Sequence, residues 1–173
     1  MRYLSILAAL LFCCVSLVRA QEVPAGDLAG SYSYFREGVT NGVNANGGTI
    51  STAFAIKPWF GLAGDFGVFH AEPFSVGLNT YTYQGGPRFY LRTHSLVTPF
   101  AQVLVGGAHL SAGGGGASGS ANGFAFTAGG GVELGLSKHW AVRPQVDYIG
   151  IHSSGDTLNS IRASIGVVFR FGK

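Results

Sequence analysis

The chain has 173 residues, of which 28 are glycine, 13% are aromatic and only 11% are charged, and its mean hydropathy is +0.30. Once Arg2 and Arg19 of the N-terminal segment are set aside, nine Lys and Arg (11 − 2) face eight Asp and Glu, which excludes the basic surface of a nucleic-acid-binding protein. Low charge with high glycine content is unusual for a water-soluble domain and typical of a barrel with an apolar outer band.

The first twenty residues have the parts of a secretory signal peptide: Arg2, an apolar run over residues 4–18, and Ala20 at its end. The run is shorter than the ~20 residues that a helix needs to cross the hydrocarbon, so an uncleaved anchor is the weaker alternative. We expect cleavage after Ala20, which gives a signal peptide over residues 1–20 and a barrel domain over residues 21–173.

After the signal, no apolar run approaches 18 residues, so a membrane would have to be crossed by the strands of a closed sheet. Eight stretches rich in glycine, aromatic and β-branched residues are separated by turn signals at the spacing of an antiparallel meander. The predicted strands are residues 27–37, 48–57, 59–70, 80–92, 99–111, 122–137, 140–152 and 158–171. The predicted fold is therefore all-β, an eight-stranded antiparallel up-and-down transmembrane β-barrel.

The predicted connections alternate between short and long. The short ones lie at residues 57–58, 93–98 and 137–139. The long ones, rich in Gly, Asn and Ser, lie at residues 38–47, 71–79, 112–121 and 153–157. Short turns on one side and long loops on the other are typical of outer-membrane barrels, with the turns and both termini in the periplasm and the loops outside the cell.

Alternate residues of the predicted strands separate into an apolar set and a polar set, and the apolar set is expected to face lipid. In the last strand the outward set is Ile161, Ala163, Ile165, Val167, Phe169 and Phe171. In the seventh strand the outward set is Trp140, Val142, Val146 and Tyr148. In the fourth strand it is Tyr81, Tyr83, Phe89 and Leu91. A soluble sandwich with a second sheet over these faces is the alternative.

Aromatic residues lie near the predicted strand ends, where they would form two interfacial girdles. They are Tyr32, Tyr34, Trp59, Phe60, Phe100, Phe124, Trp140, Phe169 and Phe171. Pro87 and Pro144 fall inside predicted strands, where each removes a ladder hydrogen bond, so we expect a local bulge or a lipid-facing weak point at each.

The last strand contains a polar residue, Ser164, then Gly166, and then two aromatics at alternate positions, Phe169 and Phe171. This pattern resembles the C-terminal sorting signal of the OmpA-like small outer-membrane β-barrel proteins, although most of these end at the final aromatic and this chain continues over residues 172–173. The resemblance implies an integral protein of the Gram-negative outer membrane, monomeric and surrounded by membrane lipid and lipopolysaccharide. It also implies that the barrel assembly machinery recognises these four residues.

An eight-stranded barrel is just wide enough for its inward side chains to fill it, so a wide pore is not expected. The predicted inward polar residues are Asp65, Arg88, Arg92, Gln102, Glu133, Arg143, Gln145, Asp147, Arg162 and Arg170. Buried charges are tolerated when they are paired, and Glu133 and Arg143, near one short turn, are expected to pair. A structural plug of salt bridges is the preferred interpretation of this lumen, and a narrow ion path or gate is the alternative.

One cluster has the residue types of an enzyme. His152, Ser153, Ser154 and Asp156 are similar to the His-x-Ser of outer-membrane lipid A deacylases, but the flanking residues of that family are absent. The five histidines have no metal-ligand spacing, so no catalytic residue, metal or cofactor is predicted. The sequence favours a structural or surface-interaction barrel whose loops bind an unidentified extracellular ligand. A small low-conductance porin and a lipid A-modifying enzyme are the alternatives.

Overall fold

The computed structural model of the chain describes residues 24–37, 43–71, 77–92, 96–114, 117–153 and 156–172, and the predicted signal peptide lies outside them. The strands are β1 (Gly26–Glu37), β2 (Val43–Lys57), β3 (Phe60–Ala71), β4 (Gly77–Tyr90), β5 (Val97–Gly114), β6 (Ala117–Gly135), β7 (Trp140–Ser153) and β8 (Asp156–Phe171). They form a closed barrel in chain order, in which β8 pairs antiparallel with β1. The predicted eight-stranded antiparallel barrel is confirmed. Within the described ranges, no helix is long and apolar enough to span a bilayer.

Three strands exceed their predicted lengths by three residues or more. β2 begins at Val43 instead of residue 48, and β5 and β6 continue into the predicted loop over residues 112–121, with pairing up to Gly114 and Ala117. The assignment of Gly113 and Gly114 to a loop was therefore wrong. Small residues have weak strand propensity by themselves, but a cross-strand partner satisfies their backbone hydrogen bonds.

The registers stagger the strands around the barrel. One row of neighbours, which starts at Phe35 and ends at Ala55, runs through Arg162, Asp147, Gly129, Gln102, Arg88 and Gly61. The N–H of Ala55 donates to the carbonyl of Ala25 at 3.0 Å. After one circuit of the barrel the row therefore returns ten residues before its start at Phe35 (35 − 25). This ten-residue shear tilts the strands and fixes a lumen that side chains can fill.

Side chains alternate between the two faces as predicted. In β8, Ile161, Ile165 and Val167 are exposed on the outside, whereas Arg162 and Val168 are buried in the lumen. The predicted outward residues of β4 and β7 also lie on the outer face. All eight described strands belong to one closed barrel, which is incompatible with the two stacked sheets of a soluble sandwich.

The end of the barrel with the short connections, called here the turn end, carries an aromatic girdle. Trp59 stacks on Phe89 with ring centroids 6.3 Å apart, and Trp140 packs edge-on against Phe169 at 5.1 Å. Phe100 does not belong to a girdle, because it is 6% exposed and faces the lumen. Its assignment to the outer surface was wrong.

The two strand prolines do not bend the sheet. The pairs on either side of Pro87 and of Pro144 keep one register, so neither residue produces a bulge. Pro144 is exposed on the lipid side, where its missing N–H interrupts pairing without a shift. A register shift does occur beside the β2–β3 turn, between Ala55 and Lys57.

Candidate functional site

Within the described residues, the lumen is lined by equal numbers of positive and negative side chains. Four carboxylates and three guanidinium groups are buried in it, and a fourth guanidinium, that of Arg170, is partly exposed. The acidic members are Asp27, Asp65, Glu133 and Asp147, and the basic members are Arg88, Arg143, Arg162 and Arg170. Because ionised groups are tolerated away from water only when they are paired, this balance permits a lumen filled with charge.

A central cluster surrounds Arg162 of β8. Its Nη1 donates to Asp65 Oδ1 at 2.6 Å, and its Nε and Nη2 both donate to Asp147 Oδ2, at 2.9 and 2.8 Å. Gln145 Nε2 donates to the same Asp147 oxygen at 2.7 Å. One guanidinium therefore joins β3, β7 and β8 through the middle of the barrel.

A turn-end cluster surrounds Arg143 of β7. Its Nη2 donates to Asp27 Oδ1 at 2.8 Å and to Glu133 Oε1 at 2.6 Å. The other oxygen of Glu133 accepts a hydrogen bond from Arg170 at 2.9 Å, and Arg88 lies 3.8 Å from Asp27. Glu133 and Arg143, which were expected to pair, are thus in direct contact.

Gln102 joins the two clusters. It accepts a hydrogen bond from Arg88 Nε at 2.9 Å and donates one to Asp147 Oδ1 at 3.2 Å. Its side chain passes over β6 at Gly129, where a Cβ atom would clash with Asp147 Oδ1. The turn-end cluster has three arginines and two carboxylates, whereas the central cluster has one arginine and two carboxylates. Gln102 therefore connects an excess positive charge to an excess negative charge.

Arg88 is the least satisfied cation of the lumen. It is fully buried, and within the described ranges neither Nη1 nor Nη2 has a hydrogen-bond partner. Its guanidinium lies 4.9 Å from the ring centre of Phe100, and that of Arg143 lies 5.3 Å from the same ring. A cation–π contact compensates only part of the lost hydration, so the lumen is least tightly held at Arg88.

Two residues depart from the predicted lumen set. Arg92 lies past the end of β4, where its Nε donates to the carbonyl of Pro58 and its guanidinium stacks on Tyr90 at 4.4 Å, so it does not join the network. Burial lowers the pKa of the Arg92 guanidinium from its ordinary value. Asp27 was missed, although the alternation of β1 contains the signal: Ala29, two positions on, is buried on the same inward face.

At the opposite end, called here the loop end, the lumen is closed by an apolar plug. Phe35 and Phe69 stack with ring centroids 4.6 Å apart. Around them are the buried residues Ala45, Ala71, Ala108, Ala125, Ile149 and Ile151. The salt-bridged clusters and the apolar plug therefore occupy the lumen one above the other.

A cavity of about 320 Å³ adjoins the apolar plug, between β4, β5 and β6. Leu78 and Leu110, which pack against the plug, line it together with the small residues Ala112, Gly119 and Ala121. The extension of β5 and β6 into the predicted loop over residues 112–121 thus forms one wall of this cavity.

The enzyme-like cluster is not assembled in the described part of the chain. His152 Nδ1 lies 3.0 Å from Thr157 Oγ1, on the exposed surface. Ser154 lies outside the described residues, as does the side chain of Asp156. Among the residues that are described, no group of His, Cys, Asp and Glu could hold a metal ion.

Solved structures share this architecture at low sequence identity. Neisserial surface protein A is 15% identical, with a TM-score of 0.75 over 87% of this chain and 100% of that chain. Ail, the attachment invasion locus protein of Yersinia pestis, is 15% identical, with a TM-score of 0.65 over 86% and 99% of the two chains. The outer membrane protein OprG from Pseudomonas aeruginosa is 11% identical, with a TM-score of 0.59 over 90% and 100%.

A comparison with curated proteins gives no match. A family model described as outer membrane protein beta-barrel domain matches residues 5–171, almost the whole chain. With the closed eight-stranded barrel and its apolar outer face, this match shows that the chain belongs to the outer membrane protein beta-barrel domain family and is an integral protein of the outer membrane.

Proposed function

We propose that this barrel is a surface-interaction protein whose function lies in its extracellular hairpins, above a lumen that does not conduct and does not catalyse. In this proposal the signal peptide is removed after Ala20, and the mature barrel displays the loop end outside the cell. The observation that carries it is the β5–β6 hairpin. Pairing of β6 with β7 stops at Phe124 and His152, whereas pairing of β6 with β5 continues to Ala117.

The part of β6 at the loop end, Ala117–Ala121, is therefore an open strand edge within the described residues. Within the described residues, Ala117–Ala121 pair only with β5, so their other backbone groups face outward from the sheet. An exposed edge of this kind is a template for an extended peptide that adds as a further strand. The cavity on the inner face, walled by Gly119 and Ala121, could take a small apolar side chain of such a peptide. The ligand class that we propose is thus an extended segment of an extracellular protein.

The names of two similar proteins agree with a role at the cell surface. One is a surface protein, and the other is an attachment invasion locus protein that has also been solved with the heparin analogue sucrose octasulfate. We propose a similar class of role for this chain, with the β5–β6 hairpin as the interacting element.

Two features argue against the alternative functions. A porin needs a continuous aqueous path, but the lumen contains the salt-bridged clusters and, above them, the apolar plug around Phe35 and Phe69. A lipid A-modifying enzyme would need His152 as a base for a nearby serine, and this imidazole already contacts Thr157. If His152 were catalytic, cells with His152→Ala would differ from wild type in the mass spectrum of their lipid A, and we expect no difference.

The proposal is tested by shortening the hairpin. Residues 110–121 are replaced by Asn-Gly, which joins the paired residues His109 and Asn122 by a tight hairpin turn, and cells that display either protein are compared for adherence to fibronectin, collagen and heparin surfaces. We expect wild type to adhere to fibronectin or collagen and the shortened variant to adhere at the level of cells without the protein, whereas adherence to heparin alone would contradict the proposed ligand class. Lys138→Ala, in a turn at the other end, is the matched control and should behave as wild type.

Heat-modifiable migration on a gel shows whether each variant has folded as a barrel. Equal adherence of wild type and a folded, shortened variant on all three surfaces would contradict the proposed role of the hairpin.

A further inference from the structure

Arg88 differs from Arg162 in how its donors are satisfied, although both are fully buried in the lumen. Arg162 donates from Nε, Nη1 and Nη2, in each case to a carboxylate. Among the described residues Arg88 donates only from Nε, to Gln102, and neither Nη1 nor Nη2 has a hydrogen-bond partner. Unsatisfied donors on a buried charge are costly, so the lumen holds here a guanidinium that needs an acceptor.

The carboxylate that pairs with Arg88 does not supply this acceptor. Asp27 Oδ1 lies 3.8 Å from Arg88 Nη1, which is too far for a hydrogen bond, and it accepts one from Arg143 Nη2 at 2.8 Å. The other oxygen of Asp27 accepts a hydrogen bond from Tyr90 at 3.3 Å. Both oxygens of Asp27 are therefore held by groups other than Arg88.

The turn-end cluster also has an excess of positive charge. Its three guanidinium groups, those of Arg88, Arg143 and Arg170, face the two carboxylates of Asp27 and Glu133. Both oxygens of Glu133 are already taken, one by Arg143 and the other by Arg170. One monovalent anion would make this cluster neutral, whereas a water molecule would leave its charge unchanged.

The excess negative charge of the central cluster does not reach Arg88. Asp147 Oδ2 accepts hydrogen bonds from Arg162 and Gln145, and Asp147 Oδ1 accepts one from Gln102. Gln102 lies between the two charges, because its amide oxygen accepts from Arg88 and its amide nitrogen donates to Asp147. The neutral amide thus separates Arg88 from the nearest carboxylate of the central cluster.

A second arginine adds to the positive potential around Arg88. The guanidinium carbons of Arg88 and Arg143 lie 4.9 and 5.3 Å from the ring centre of Phe100. Nε of Arg143 is a further buried donor without a partner in the described part of the chain. Gly61, which pairs with Arg88 on β3, has no side chain to fill the lumen or to accept a hydrogen bond.

Burial limits the size and charge of an anion that can reach this cluster. The side chains of Arg88, Arg143 and Glu133 are 2% exposed or less, whereas that of Arg170 is 15% exposed. An anion that enters past Arg170 must lose its hydration, and the cost of desolvation rises with charge. A small monovalent ion therefore suits the cluster better than a phosphate or a sulfate.

We propose that the turn-end cluster binds one chloride ion, with Nη1 and Nη2 of Arg88 as its donors and Arg143 as a second source of positive charge. The ion gives both nitrogens of Arg88 an acceptor and neutralises the cluster. Hydrogen bonds between two ionised partners are stronger than those between neutral groups. The stability of the barrel therefore rises with chloride concentration, whatever its extracellular hairpins bind.

The first experiment locates the ion. Crystals of the folded wild-type barrel are soaked in sodium bromide, and anomalous diffraction shows where bromide has replaced chloride. We expect a peak inside the lumen, within hydrogen-bonding distance of Nη1 and Nη2 of Arg88. Peaks found on the outer surface and not in the lumen would mean an adventitious ion only and would overturn the proposal.

The second experiment measures the effect of chloride on stability. Wild type in phosphatidylcholine vesicles is unfolded in urea at constant sodium concentration, while chloride replaces the large organic anion gluconate. A ligand that binds only the folded state raises the folding equilibrium constant in proportion to its concentration above the Kd, so a tenfold rise in chloride should give about a tenfold rise. Equal stability in the two salts would contradict the proposal, because water would then satisfy Arg88 as well as an anion does.

Arg88→Gln tests whether this arginine forms the site. Without Arg88 two guanidinium groups face two carboxylates, so the cluster is neutral and its urea midpoint should not change with chloride. Arg36→Gln removes an exposed arginine at the loop end, and this matched control should keep the chloride dependence of wild type. An equal chloride dependence in Arg88→Gln and wild type would place the effect elsewhere. Should Arg88→Gln fail to refold, the bromide peak in the wild-type lumen decides the question.

Discussion

Arg143 on β7 donates a hydrogen bond from Nη2 to Asp27 Oδ1 on β1 at 2.8 Å, across 116 positions of the chain. The same nitrogen donates to Glu133 on β6 at 2.6 Å. Asp27 also accepts a hydrogen bond from Tyr90 at 3.3 Å. The first strand of the barrel is therefore held, through its one described inward carboxylate, to strands on the far side of the lumen.

Loss of the Asp27 carboxylate should destabilise the barrel. In Asp27→Asn the amide cannot neutralise Arg143 or Arg88, which leaves excess positive charge in a buried cluster. Breaking one partner of a buried ion pair lowers the free energy of unfolding by about 3–5 kcal/mol. Urea unfolding from lipid vesicles, followed by the fluorescence of Trp59 and Trp140, measures this loss.

Lys57→Ala is the control for Asp27→Asn, because this exposed lysine lies outside the lumen and should change stability by less than about 0.5 kcal/mol. A loss of similar size in both variants would contradict the role assigned to the turn-end cluster.

A methyl group at position 129 should separate the two lumen clusters. In Gly129→Ala the new Cβ would clash with Asp147 Oδ1 and stand 2.6 Å from the carbonyl oxygen of Val146, so Asp147 must move away from Gln102. Overpacking of this kind lowers stability by about 1–3 kcal/mol. Gly30→Ala is the matched control, since a Cβ there meets nothing within 4 Å. Equal urea midpoints for the two alanine variants would show that the Gln102 bridge contributes nothing.

The alternation of side chains predicts the strands and most of the lumen residues. Gln102 was assigned inward, and Phe100, two positions earlier on the same strand, shares that face. The position of Phe100 near a strand end favours a girdle residue, whereas its alternation with Gln102 correctly indicates the lumen. Arg92 continues the inward row of Arg88 and Tyr90, but β4 ends before it.

The extent of the loop-end strands could not be read from the sequence. Residues 112–121 contain small residues that suit a loop, a strand or a turn equally well, so no period is visible in them. The apolar plug was also missed, because Phe35, Phe69 and Ile151 are distant in sequence and only the shear brings them to one height. Contacts across the lumen depend on closure of the sheet, which no local pattern encodes.

Conduction should require removal of two obstructions. The salt-bridged clusters and the apolar plug lie in series, so Arg88→Ala or Phe69→Ala alone should leave a planar bilayer without channel steps. The Arg88→Ala, Phe69→Ala double variant should show discrete conductance steps, because water then has space both where the Arg88 side chain was and through the apolar plug. Discrete steps from the wild-type barrel would contradict the closed lumen and favour the porin.

The last strand provides a test of assembly that separates recognition from stability. If the assembly machinery recognises Ser164, Gly166, Phe169 and Phe171, then Phe169→Ala with Phe171→Ala should lower the amount of folded barrel in the outer membrane by about tenfold, a difference of about 1.4 kcal/mol in recognition. Phe124→Ala, exposed on the outer face near the other end, controls for loss of an aromatic side chain.

Refolding of the purified variants into vesicles shows whether the loss concerns recognition. The double variant should refold in vitro nearly as completely as Phe124→Ala, since Phe169 is on the outer face and its contacts with Trp140 and His139 lie outside the lumen. Poor refolding of the double variant in vitro would instead attribute its absence from cells to instability. Normal amounts of the double variant in the outer membrane would show that the two aromatics are not the signal.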